Sequence, residues 1–123
     1  MGRVTKPNVK RVELRRQLCR ALEELFGGRF GRSEDMEVTV VDDLILLRCK
    51  GAVSPAEADA GTMKAGRLLL QEVSERLCQE LRPDLSKLLR EITGLRLLDI
   101  CVGIFFRRRE KIYLLTMSGM VKQ

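Results

Sequence analysis

Residues 62–94, TMKAGRLLLQEVSERLCQELRPDLSKLLREITG, are the longest periodic stretch in this chain of 123 residues. Leu70, Val73, Leu77 and Leu81 recur at steps of three or four, and Leu85, Leu88 or Leu89, and Ile92 continue the series. This spacing predicts one long amphipathic helix with a single apolar stripe. Pro83 lacks an amide donor and crowds the carbonyl four residues back, so it should kink the helix or restart it. Because the stripe stays in phase, the kink is favoured over the restart. Gly94 most easily adopts the left-handed conformation that closes a helix, and Leu95 opens a strand-like run.

Upstream, Ser54-Pro55-Ala56-Glu57 has the chemistry of a helix start. Ser54 can cap, Pro55 is pre-set for the first helical position, and Glu57 can complete a capping box. A short helix through Ala60 and a break near Gly61-Thr62 are expected. Before it, EVTVV and LILLRCK bracket Asp42-Asp43, a polar pair suited to a tight turn, and predict a hairpin. Val9 to Phe26 reads as a helix with Leu14, Ala21, Leu18, Leu22, Leu25 and Phe26 on one face, stopped by Gly27-Gly28. Downstream, Leu95–Phe106 and Lys111–Met117 predict a second hairpin around Arg107-Arg108-Arg109-Glu110, with Leu98, Ile100, Val102 and Ile104 on one face.

The order is helix, hairpin, short helix, long helix, hairpin. The arrangement that buries both helix stripes is an α+β two-layer sandwich, a four-stranded antiparallel sheet with the helices on one face. The other sheet face would then show apolar side chains to solvent, a physical reason to expect a homodimer or another partner. Residues 9–118 form the expected domain, with a flexible tail at 1–8 and a second tail at 119–123.

Charged residues at 33% suit a solvated surface, and no apolar run approaches the roughly 18 residues of a membrane span. The basic N-terminus lacks the apolar block of a secretory signal, so a cytoplasmic address is expected. The chain has no histidine, and Cys19, Cys49, Cys78 and Cys101 are far apart, which disfavours zinc. Each cysteine has apolar neighbours on a predicted helix or strand and is read as a reduced thiol acting as a small hydrophobe. No nucleophile–base pair and no phosphate-binding glycine loop is present. GGRFG follows a helix where a phosphate loop would follow a strand. Asp42 and Asp43 read as turn residues and not as metal ligands. No cofactor is expected.

The net charge of +6 is local. Residues 1–32 hold nine Lys or Arg against three acids, and the rest of the chain balances fourteen against fourteen. Arg11, Arg15, Arg16 and Arg20 follow helical spacings, and Arg107, Arg108 and Arg109 crowd a hairpin tip. Either group is a candidate for nucleic acid or anionic lipid, weighed against an ordinary solvated face. Five aromatics give little platform for base stacking.

Four segments in order, GGRFGR, VTVVDDLILLRCKGAVSPAE, GRLLLQEVSERLCQELRPDLSKLLREITG and LRLLDICVGIFF, resemble the MpsC-like family. The shared pattern is D-D-x-I-x-x-R-x-K-G, then [ST]-P-A-E, R-P-x-L and E-I-T-G. It falls on Asp42, Asp43, Arg48, Lys50, Gly51, Pro55, Glu57, Gly66, Arg82, Pro83 and Gly94. The resemblance implies a small protein associated with a multi-subunit membrane system for ion movement and inorganic-carbon supply, whose transport chemistry lies in other subunits. Arg48, Lys50 and Arg82 have the least structural reason to recur and are the candidate partner-binding residues. The basic first helix and the arginine tip depart from the family pattern. The expected function is non-catalytic, an accessory subunit acting by protein–protein binding. The alternative is a basic module for nucleic acid or another anionic partner.

Overall fold

Ser54 shows how local chemistry sets the elements. In a computed structural model describing residues 9–26 and 35–121, its hydroxyl accepts from the Glu57 amide at 3.1 Å. The Glu57 carboxylate in turn accepts from the Ser54 amide at 3.0 Å. This reciprocal box, with Pro55 in the first turn, starts α2 (Pro55–Ala60). The other described elements are α1 (Val9–Phe26), β1 (Met36–Val41), β2 (Leu44–Lys50), α3 (Lys64–Thr93), β3 (Leu97–Phe105) and β4 (Glu110–Met117). The predicted tail at 1–8, the GGRFG connection, and the side chains of Arg11, Leu25 and Phe26 lie outside the described residues.

The four strands form one antiparallel sheet in the order β1-β2-β4-β3, with both hairpins intact and β2 joined to β4. Asp42 adopts a left-handed φ of 54° in the first turn, a conformation aspartate tolerates better than most residues. The turn carbonyls also serve the far end of the chain. Asp43 accepts from the Met117 amide at 2.7 Å, and Asp42 from the Val121 amide at 2.9 Å. Val121 is itself buried, so packing continues past β4.

One sheet face is covered. Val38 and Val40 from β1, Ile45 and Leu47 from β2, Ile100 and Val102 from β3, and Tyr113 and Leu115 from β4 meet Leu14, Leu18 and Leu22 of α1 and Leu81, Leu85 and Leu89 of α3. Each such aliphatic side chain contributes about 1.5–3 kcal/mol by leaving water. The helices therefore form the second layer of an α+β sandwich.

Two expectations need correction. The buried line of α3 is Ser74, Cys78, Leu81, Leu85 and Leu89, so the predicted stripe holds only in the second half. Val73 is 54% exposed, and Leu70 and Leu77 are at the margin. Along its first half α3 lies beside the edge strand β3, with Gln71 donating to the Val102 carbonyl, so only the narrow line through Ser74 and Cys78 is buried there. The second correction is in β3, where a bulge between Leu97 and Asp99 turns Leu97 inward and leaves Leu98 exposed. As predicted, α3 runs through Pro83 without restarting, and Gly94 closes it at φ 76°.

Two glycines lock the α2–α3 junction. A side chain on Gly66 would lie 2.7 Å from the Ala60 carbonyl carbon and closer still to its oxygen. One on Gly61 would lie 2.6 Å from Cγ of Phe106 and closer still to its Cδ1. The ring of the β3–β4 tip thus rests directly on the Gly61 backbone.

Candidate interaction surface

The other face of the sheet is left uncovered by the helices. Alternation and register put Thr39, Leu46, Leu114 and Cys101 in one cross-strand row and Val41, Leu44, Thr116 and Asp99 in the next. Ile112 and Phe105 continue the surface toward the β3–β4 tip. Val41 is 54% exposed and Phe105 41%, while Leu44, Leu46, Ile112 and Leu114 are half-buried by their neighbours alone. A contiguous aliphatic surface facing water is the mark of an interaction site.

At one end this face becomes ionic. Glu110 is 4% exposed although it stands on the open side. Arg48 holds it, with Nε to Oε1 at 3.0 Å and Nη2 to Oε2 at 3.4 Å, and Arg108 adds a contact of 3.4 Å. Arg108 also lies over the Phe105 ring, 5.1 Å from its centroid. Across β1, Glu37 takes Lys50 at 2.6 Å and Arg48 at 3.7 Å. The Lys50 hydrogen bond and charge hold the Glu37 carboxyl below its usual range. Arg48 and Lys50, two of the three residues singled out in the sequence, are thereby brought together with both signs of charge in near balance.

Arg82 is not part of this cluster. It lies on α3 and donates to the Leu98 carbonyl at 2.6 Å, while Gln71 donates to the Val102 carbonyl at 2.8 Å. These two side chains occupy carbonyls on the outer edge of β3, which blunts that edge against stray strand pairing. The N-terminal arginines are also apart from the tip. Arg20 lies beside Leu88 and Glu91, whereas the tip lies against Gly61 and Arg67. Residues 67 and 88 are separated by about 30 Å along α3. Arg16 pairs with Glu13 at 3.7 Å, and Arg15 is half-buried. Within the tip, Arg109 is committed inward. At φ 55° its Nε donates to the Val53 carbonyl at 2.7 Å.

Sequence reasoning missed Glu110, read only as a turn residue. The signal available was its place opposite Lys50 once the two hairpins pair, which needs the β2–β4 register.

The cysteines divide by face. Cys49 and Cys78 are core thiols as expected, and burial pushes their pKa values up to about 12 and about 11. Cys101 departs from expectation and is exposed on the open face, because β3 alternates about Ile100 and Val102. In dilute native protein an aromatic disulfide reagent is expected to modify Cys101 first and to reach Cys49 and Cys78 only after unfolding. Equal rates at all sites would contradict this packing. The raised thiols also give a sign. A native group that holds its proton longer than the unfolded one stabilises the fold below the unfolded thiol pKa, near 8.5. That contribution is lost as pH rises toward 11–12. Tyr113, raised by burial, acts in the same direction.

Among the described residues no helix is long and apolar enough to cross a membrane, and no group of three Cys, Asp or Glu side chains is placed to hold a metal. No curated protein and no solved structure matches the chain. Residues 10–119 match the family model described as Na+-translocating membrane potential-generating system (MpsC). Covering nearly the whole fold, both faces of the sheet included, that match places the chain in the MpsC family.

Proposed function

We propose that the chain works by binding, as a non-catalytic cytoplasmic accessory subunit of the membrane ion-translocating system for which its family is named. The observation that supports this reading is the open sheet face, an aliphatic centre ending in the Arg48–Glu110 and Lys50–Glu37 pairs. Its first occupant is a second copy of the chain. The whole chain carries +6, so a patch of arginine alone would repel its copy. This face has Glu37 and Glu110 beside Arg48 and Lys50, so two copies meet without net like charge. The resulting dimer then docks on a membrane subunit.

The test is affinity capture of the tagged chain from its own host, in mild detergent and physiological salt, with and without nuclease. Integral transport subunits are expected from both halves. Recovery that depends on intact nucleic acid would overturn this function in favour of the basic-module alternative.

A further inference from the structure

At one end of the sheet the β3–β4 tip meets the start of α3. A groove of about 600 Å³ lies between them, lined by Gly61, Arg67, Phe105, Phe106, Arg107 and Arg108. Three guanidinium groups and two rings border it, with no acid among the described lining residues. Of the acids near in sequence, Glu110 is engaged by Arg48 and Arg108, and Glu57 by the Ser54 amide. Asp59 on α2 stays exposed. Met63, two residues past Gly61, is 68% exposed, and Leu68, next to Arg67, is also exposed. Lys64 adds a further exposed cation.

We propose that this end seats the chain on an anionic lipid bilayer, with Arg67, Arg107 and Arg108 taking headgroup phosphates and Phe105 and Met63 entering the boundary below them. Exposed apolar side chains among arginines suit the headgroup region, where guanidinium and phosphate pair and an apolar tip leaves water. A single nucleic-acid strand fits less well. Phe106 lies on the Gly61 backbone and Phe105 carries Arg108 on one face, which leaves less ring surface for bases to stack on. The rigid mounting of the tip supports the same assignment. Phe106 on Gly61 and Arg109 on Val53 fix the tip to the body, so little ordering is lost on contact.

The test is co-sedimentation with vesicles of phosphatidylcholine alone, and with vesicles in which half is replaced by phosphatidylglycerol. The full chain is expected to pellet only with the anionic vesicles, and less so as salt is raised. The double substitution Arg67→Gln and Arg107→Gln leaves the Arg108–Glu110 contact in place. It is expected to weaken partitioning roughly 30-fold, about five-fold for each arginine. Arg67→Lys keeps the charge while losing the guanidinium bond to the Gly61 carbonyl, and is expected to bind like the parent. Equal pelleting with both vesicle types, or an unchanged partition in the double variant, would overturn the proposal. So would a short single-stranded oligonucleotide that binds with the same dependence on Arg67 and Arg107. The vesicles hold no protein, so failure here leaves the open-face reading standing.

Discussion

Gly66→Ala is expected to destabilise the chain by about 2 kcal/mol, the reverse of what its place in a helix suggests. Alanine in a helix normally gains about 1 kcal/mol over glycine. Here the added carbon would meet the Ala60 backbone, 2.7 Å from the carbonyl carbon. Backbone cannot swing aside as a flexible side chain can, and overpacking of this kind costs about 1–3 kcal/mol or more. The clash wins over the propensity. A lower denaturant midpoint with an unchanged slope would confirm it, and a raised midpoint would show that the α2–α3 junction is looser than described. The effect should reach the tip groove, because Gly61 and Arg67 flank the same junction.

Arg48→Met is the second large effect. It removes both bonds from Arg48 to Glu110 and leaves that carboxylate with Arg108 alone. Breaking a fully buried pair costs about 3–5 kcal/mol. Arg48 is 36% exposed, so water screens the loss and about 2 kcal/mol is expected. Adding Glu110→Met should restore most of that stability, since an apolar pair of similar volume is close to neutral in exchange for ions. Urea unfolding of the two single variants and the double variant gives the coupling directly. A double variant as unstable as Arg48→Met would show that the pair serves the fold. A stable double variant that no longer self-associates would show that the ions specify the partner.

Much of the fold could be read from local chemistry. Ser54-Pro55-x-Glu57 fixed a helix start because capping involves residues three apart. Asp42-Asp43 between two aliphatic runs fixed a turn, and Leu14, Leu18 and Leu22 fixed the buried side of α1. The open sheet face followed from counting layers, since helices can cover only one side. What could not be read depends on contacts distant in sequence. The early stripe of α3 was misplaced because Val73 and Ser74 are one residue apart, and only the way the helix lies against β3 decides between them. Cys101 was read as a small hydrophobe from its apolar neighbours, although its place between Ile100 and Val102 on a strand already put it on the opposite face. Gly61 and Gly66 could be read as breaks, but not as the places where Phe106 and Ala60 come close. Arg48 and Lys50 were found, while Glu110, which organises them, needed the β2–β4 register. Arg82 shared their charge but proved to occupy a carbonyl on the β3 edge.

The central claim is that the open sheet face is a binding surface first filled by a second copy. Sedimentation equilibrium of the parent chain and of Leu46→Glu tests it most directly, since Leu46 stands mid-face beside Leu114 and outside the core. The parent is expected at twice the chain mass of 14.0 kDa, and Leu46→Glu at the single mass with unfolding otherwise near that of the parent monomer. A parent chain that stays at 14.0 kDa at every concentration, or a Leu46→Glu chain that still doubles, would contradict the claim.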